Sequence, residues 1–425
     1  LTQAPPRCKT LGALVLLQCA LPLNLALTAL AFVFGRRSRA VAARPRTILI
    51  SGGKMTKALQ LARSFHRAGH RVVLIEQRKY RLTGHRFSRA VDRFYSVPKP
   101  EADDYADALL RVVREEHVDV YVPVCSPVAS LCDARAKEVL AGHCEVLHFD
   151  ADIVERLDDK HAFSELAASL GLSVPDSHRI TAPEQVAGFD FRDTYVLKSI
   201  PYDPVRRLDL PRLPGDTDVA SLPISEQTPW IMQAFVDGQE YCTHGTARDG
   251  VLQVHCCCRS SAFQVNYEMV DHPQIEAWVR RFVGSLGLTG QVSFDFIEAA
   301  DGSLYAIECN PRTHSAITLF HDHPGLADAY LEDGGPEIRP LPSSRPTYWL
   351  YHELWRLLAR PATVRERWRT IRRGKEAIFD WSDPLPFLVV HHAQIPWLLL
   401  GNLVRGRPWI RVDFNIGKLV EPAGD

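Results

Sequence analysis

The sequence predicts an α/β protein with a parallel-sheet domain first and an α+β domain rich in antiparallel hairpins after it. Three observations lead there. Arg46-Thr47-Ile48-Leu49-Ile50 is a short apolar run that meets Ser51-Gly52-Gly53 and then a helical repeat, the order of a parallel strand–turn–helix unit. From residue 195 onward, β-rich runs are joined by Asp249-Gly250 and Asp301-Gly302, a strong hairpin signal. The 425 residues are 46% hydrophobic and 24% charged, enough for two to three domains of about 150 residues each.

Taken in order, residues 1–46 form an apolar segment and an Arg-rich linker. No charge falls between Thr10 and Gly35, a stretch longer than the ~20 residues that cross a bilayer. Arg7 and Lys9 precede it, and Arg36, Arg37, Arg39, Arg44 and Arg46 come after it. The positive-inside rule places the rest of the chain in the cytoplasm, with the segment as a membrane anchor. Pro22 and Asn24 weaken a span, and an interfacial helix or a targeting peptide are the rival readings.

Residues 47–150 make the parallel-sheet domain. A helix is predicted over 57–68, closed by Gly69, then a strand over 71–76. A helix at 105–116 and strands at 118–124 and 145–149 continue the pattern. There is no GxGxxG, so dinucleotide binding gains no support. Residues 151–340 make the second domain. It has a helix at 160–170, strands at 195–199, 230–236, 240–247 and 251–258, a helix at 274–286, and strands at 291–298 and 303–308. Residues 341–425 are helical and then rich in Trp and Pro. Within them, 384–404 is apolar but holds Pro386, His391, His392 and Pro396. It reads as core, with a membrane-lying surface as the alternative.

Basic and acidic residues balance at 50 each, and no basic stripe interleaves with aromatics, so nucleic acid is not an expected partner. The ten cysteines lack zinc-site spacing and read as reduced thiols. Cys256, Cys257 and Cys258 would alternate faces of a strand and make a poor metal site. Cys125 has no base at a diagnostic spacing and reads as packing.

The chemistry concentrates at Phe294-Asp295-Phe296 and, one hairpin later, Ile307-Glu308-Cys309-Asn310-Pro311-Arg312. Side chains alternate along strands, so Asp295 and Glu308 converge on one face and Asn310 keeps to it. Two carboxylates and an amide oxygen suit magnesium or manganese. The apolar flanks bury these strands, and buried carboxylates need a partner. Lys198 sits in an apolar strand, where a phosphate partner offsets the cost of burying its charge.

Here the sequence resembles the ATP-grasp superfamily, whose members close with an acidic residue on one strand and Glu-x-Asn-x-Arg on the next. Further elements keep the family order: Asp159-Lys160 before Gly171-Leu172-Ser173-Val174-Pro175, then Tyr195-Val196-Leu197-Lys198, then Gln233-Ala234-Phe235-Val236-Asp237-Gly238-Gln239-Glu240. The resemblance implies an ATP-grasp fold with a pre-ATP-grasp domain. It implies Lys160, Lys198, Gln233, Phe235, Val236 and Glu240 as ATP contacts, Phe235 and Val236 through their backbones at adenine and Glu240 at the ribose. Asp295, Glu308 and Asn310 would bind magnesium, and Arg312, with Lys198, would act on the transferring phosphate. The family's glycine-rich lid is replaced by 199–218, with Gly215 and the pair Arg206 and Arg207.

Ser51-Gly52-Gly53-Lys54-Met55-Thr56, Leu82-Thr83-Gly84-His85-Arg86-Phe87 and Val122-Pro123-Val124-Cys125-Ser126-Pro127 are similar to mycosporine-glycine synthetases of the MysC type. That resemblance implies condensation of glycine with 4-deoxygadusol, an enolised 1,3-diketone, through a phosphorylated enolate. A peptide-forming carboxylate–amine ligase is the alternative. Lys54, Thr56, His85, Arg86, Arg259, His314 and Ser315 are substrate candidates; each could equally be a surface or capping residue.

Overall fold

The computed structural model describes residues 6–36, 38–124, 126–201, 210–215, 217–260, 266–359 and 361–422. Helix α1 (Pro6–Phe34) leads into the first domain: β1 (Thr47–Ile50), α2 (Thr56–Arg67), β2 (Arg71–Gln77), β3 (Arg93–Val97), α3 (Tyr105–Glu116), β4 (Val120–Val122), α4 (Pro127–Leu140) and β5 (Glu145–Val146). The strands form one parallel sheet in the order β3-β2-β1-β4-β5. Parallel strands need helical crossovers, which cover both faces and account for the apolar β1 and β2.

Two elements of this sheet escape the sequence pattern. β3 reads Arg-Phe-Tyr-Ser-Val and lies at the sheet edge, so polar residues are tolerated on it. α4 starts where Pro127 occupies the first helical turn and Ser126 caps it, its Oγ accepting from Ala129 N at 3.3 Å.

The second domain carries α5 (Ala151–Asp158), α6 (Lys160–Ser169), β6 (Ser177–Ile180), α7 (Pro183–Ala187), β7 (Tyr195–Ser199), β8 (Arg212–Leu213) and β9 (Trp230–Ala234). Then come β10 (Gly238–Arg248), β11 (Val251–Arg259), β12 (Asn266–Tyr267), α8 (Pro273–Ser285), β13 (Gly290–Ala299) and β14 (Leu304–Asn310). They build two antiparallel sheets, β6-β9-β7-β8 and β11-β10-β13-β14. The β10–β11 turn has Asp249 at φ 47° and Gly250 at φ 76°, the left-handed pair a tight hairpin requires. One face of the larger sheet packs on α8. Trp278 stacks on Phe282 at 5.2 Å between ring centroids and meets Phe294 and Phe296 edge-on.

The C-terminal region adds α9 (Leu326–Leu331), β15 (Thr347–Tyr348), α10 (Leu350–Ala359), α11 (Val364–Arg373), β16 (Lys375–Glu376), α12 (Leu385–Val389), α13 (Ile395–Arg405), β17 (Arg411–Asp413) and β18 (Lys418–Val420). It is woven into the first domain: Phe387, Val390, Ile395 and Leu399 share a core with Ile48, Leu59 and Phe65. The stretch 384–404 is therefore core on one side and surface on the other, with Trp397, Leu400 and Val404 exposed.

α1 does not stand apart as the sequence reading of a spanning anchor implies. A stripe of Thr10, Leu17, Asn24, Thr28 and Ala31 is buried along its length. Lys9 Nζ donates to the carbonyls of Trp409 and Ile410 at 2.8 and 2.7 Å. Asn24 Nδ2 donates to Tyr351 Oη at 2.7 Å. The helix lies against the C-terminal region, because its inward stripe holds polar groups that find partners there.

Candidate active site

β13 and β14 bring the predicted acidic pair together: Asp295 lies directly across from Glu308, and Ser293 across from Asn310. Asn310 Nδ2 donates to Asp295 Oδ2 at 3.2 Å. The alternate residues Phe294 and Phe296 point the other way, into the α8 aromatics. Period-2 alternation thus divides one strand between an apolar core and a charged cleft.

Two lysines reach the carboxylates from outside this sheet. Lys160 opens α6, whose end is fixed by Asp159 accepting from His161 N at 2.9 Å and Ala162 N at 3.0 Å. Lys160 Nζ stands 3.4 Å from Glu308 Oε1. Lys198, on β7 of the smaller sheet, donates to Gln233 Oε1 on β9 at 2.8 Å. The site lies where the two sheets approach, Lys198 standing within electrostatic reach of Glu308, Asp295 and Glu240, the last exposed on β10. Arg312 binds Asp158 Oδ1 at 2.8 Å and also donates to Asn310 Oδ1, so it orients the amide as well as supplying charge.

The two carboxylates are held differently. Burial, then the neighbouring Glu308 carboxylate, pushes Asp295 up to about 7. Burial acts on Glu308 in the same sense, but Lys160, Lys198 and Arg312 outweigh it and hold Glu308 below the usual carboxylate range. Burial lowers Lys198 against the pull of Glu308, and nearby Lys160 adds to the lowering. Carboxylates about 5 Å apart repel by roughly 3 kcal/mol at an effective dielectric of 20. A divalent cation would relieve that repulsion. Two carboxylate groups and an amide oxygen are hard donors of the kind magnesium takes, so the residue types fit the metal, with the Asn310 amide turned over from the orientation in which Oδ1 accepts from Arg312 and Nδ2 faces Asp295.

At the expected adenine hinge one detail changes. Phe235 N–H donates to Thr194 O at 2.7 Å, which removes it as a donor to a base. Arg212 lies 4.1 Å over the Phe235 ring, a contact no sequence signal announced. Arg206, Arg207 and Cys125 fall outside the described residues.

Several substrate candidates already have protein partners. Thr56 is buried at the start of α2 and accepts from Trp349 Nε1 at 3.1 Å. His85 is buried with Nδ1 2.9 Å from Gly53 O, and burial pushes it down to about 3. Ser315 is buried and accepts from Asn415 Nδ2 at 2.8 Å. Arg86 stacks on Phe94 at 4.5 Å. Lys54 is buried beside Glu76 at 3.5 Å. His314 accepts from Ala316 N at 3.2 Å, and Arg259 is exposed at the end of β11. Sequence reading passes over the residues that hold the loop after Asn310. Ser130 Oγ donates to Pro311 O at 2.9 Å, and Lys57 Nζ to Thr313 O at 2.5 Å. Both are first-domain residues whose role depends on a distant partner.

No family model matches the chain. It is 26% identical over 254 residues to the carbamoyl phosphate synthase large chain of Vibrio cholerae serotype O1, a match covering 53% of this chain and 22% of that protein's length. Among solved structures it resembles the ADP complex of purK, an N5-carboxyaminoimidazole ribonucleotide synthetase. The TM-score is 0.55 at 15% identity, covering 73% of this chain and 82% of that one. It also resembles the biotin carboxylase–β-γ-ATP complex from Campylobacter jejuni, with TM-score 0.53, 13% identity and coverage of 68% and 72%. A third is the biotin carboxylase domain of Hydrogenobacter thermophilus 2-oxoglutarate carboxylase with MgADP and bicarbonate, with TM-score 0.50, 14% identity and coverage of 64% and 65%. The chain has the ATP-grasp fold.

Proposed function

We propose that the chain is an ATP-grasp ligase that forms a carbon–nitrogen bond by phosphorylating an acidic oxygen and letting an amine displace phosphate. One observation carries this: Asp295 and Glu308 face each other across adjoining strands, with Lys160 3.4 Å from Glu308 and with burial and the Glu308 carboxylate pushing Asp295 up to about 7. Asp295, Glu308 and Asn310 would hold magnesium, which neutralises phosphate charge when bound. Lys160 and Lys198 would meet the phosphates, Gln233 would orient Lys198, and Glu240 would take the ribose hydroxyls. At the hinge, the carbonyl of Phe235 and the backbone of Val236 would face adenine. Arg312 would steady the transferred group through its planar fork. The cleft walls would keep water from the phosphorylated intermediate.

The finer reading is that the acid is 4-deoxygadusol and the amine glycine. It rests on the first-domain segments around Lys54, His85 and Ser126. An enolised 1,3-diketone is the vinylogue of a carboxylic acid, so its phosphorylated enolate accepts an amine and expels phosphate. The second reading, a conventional carboxylate–amine ligase, is supported by the fold's likeness to purK and to the biotin carboxylases. The catalytic body would work in the cytoplasm, where ATP is available, with α1 as its membrane attachment.

The test is to incubate the protein with ATP, magnesium, glycine and 4-deoxygadusol. Glycine-dependent ADP release with a new near-ultraviolet chromophore is expected. ADP release with a carboxylic acid only would sink the finer reading, and no ATP turnover with any acid–amine pair would sink both.

A further inference from the structure

We infer that the side of the molecule built by α1 and α13 rests on an anionic phospholipid bilayer, entering it by one helix face without crossing it. This rests on the proposed membrane attachment of α1 and gives that attachment a geometry and a lipid.

Two helical stretches, Arg7–Phe34 and Leu385–Arg405, are long and apolar enough to cross a membrane by length and composition. They pack against each other, and each has one face fastened to the body. On α1 the inward stripe ends in hydrogen bonds at Lys9, Thr10 and Asn24. On α13, Ile395, Pro396, Leu399 and Asn402 are buried. A helix held lengthwise on a water-soluble body cannot also be ringed by lipid.

Their outer faces remain exposed and apolar. On α1, Leu16, Leu23, Val33 and Phe34 are 63–73% exposed. No charge interrupts that face from Thr10 to Gly35, about 40 Å of helix. Single exposed apolar residues are ordinary, but a continuous apolar face marks an interaction surface. On α13, Trp397, Leu400 and Val404 recur at helical spacing. Tryptophan, with an apolar ring and one polar N–H, suits the headgroup boundary.

The charge around this face selects the occupant. Arg7 and Lys9 stand at one end of α1 and Arg36 and Arg39 beyond the other. Beside α13 a cleft of about 430 Å³ sets four cations, Lys79, Arg81, Arg405 and Arg407, and one carboxylate, Glu421, against Trp397 and Leu400. An apolar face rimmed by cations matches an anionic bilayer, which draws in basic residues near its surface. A second copy of the chain laid antiparallel on α1 would instead bring cations against cations.

The experiment is flotation of the full chain, purified in mild detergent, with phosphatidylcholine vesicles with and without phosphatidylserine. Binding is expected only with phosphatidylserine and is weakened by salt. Alkaline carbonate is expected to release it. The pair Leu23→Glu and Trp397→Glu is expected to cut binding about tenfold or more, with circular dichroism and ATP turnover unchanged. Resistance to carbonate would overturn the one-face geometry while leaving attachment standing. Failure to float with any vesicle would overturn both. Binding indifferent to phosphatidylserine would overturn the lipid assignment. A dimer abolished by the same substitutions, without vesicle binding, would give the face to a second copy.

Discussion

Two clusters of enclosed charge in this molecule differ in one respect, whether the charges are settled. Arg63 of α2 and Asp383 are 7% and 6% exposed and pair at 2.9 Å. Arg63 also donates to the carbonyls of Ile378 and Asp383, both at 2.9 Å. Asp383 accepts from Ser88 Oγ at 2.6 Å and Arg89 N at 2.9 Å. Both carboxylate oxygens of Asp383, and Nε and Nη2 of Arg63, have protein partners. At Asp295 and Glu308 the opposite holds: burial first, and then the Glu308 carboxylate beside it, push Asp295 up to about 7. A settled buried pair specifies how two regions dock. An unsettled one waits for a ligand.

The contrast can be broken by substitution. Glu308→Gln removes half of the unsettled pair and is expected to cut ATP turnover roughly ten-thousandfold, about 5.5 kcal/mol in the barrier. Its thermal midpoint should hold; ADP release and calorimetry read the two sides, and retained turnover would refute the metal assignment. Asp383→Ala attacks the settled pair and strands Arg63. Urea denaturation should then show a loss of about 3–5 kcal/mol, with nucleotide affinity per folded molecule unaltered.

Acid tests the body as a whole. Burial pushes His85, His314 and His391 down to about 3, and His255 and His352 down to about 4. Their folded pKa values lie below the unfolded one of about 6.5. The stability they confer is complete above that pH and is lost as pH falls toward 4, by up to about 1.4 kcal/mol per pH unit for each. Urea midpoints unchanged between neutral pH and pH ~5 would contradict the burial of these rings. The smallest effect is expected from Asp295→Asn without metal. Relief of like-charge repulsion should raise stability by roughly 1 kcal/mol, discounted for the solvent that reaches the cleft. The same change should abolish magnesium-dependent nucleotide binding, measured by calorimetry.

Much of the cleft was legible in the sequence because strand alternation is a local rule. Asp295 and Glu308 sit in hairpin strands closed by Asp301-Gly302, but the regular register through Phe296 and Ala306 would set Asp295 opposite Ile307, and a bulge after Asp295 is what brings it opposite Glu308. Lys160 was legible through the resemblance of Asp159-Lys160, at the start of its helix, to the ATP-grasp pattern. The edge strand Arg93–Val97 was not, because its polar residues carry no alternation. Thr56 and His85 read as loop ligands, and Ser315 as a substrate candidate near the second domain's strands. They are buried because the C-terminal region folds back over the first domain, and no local pattern reports that. The backbone of Phe235 reads as an adenine contact, but its N–H is taken by the carbonyl of Thr194, just before β7.

By itself the sequence determined which residues alternate, which turns close, and that an apolar segment of membrane-spanning length precedes the first strand. Those are properties of neighbours along the chain. Only the tertiary structure decided that Lys198 and Glu308 share a cleft, that Arg63 closes on Asp383, and that α1 lies along the body with its outer face bare. Each of these joins residues over a hundred positions apart. Such contacts depend on how whole elements pack, and hydrophobic burial drives that packing without regard to separation along the chain.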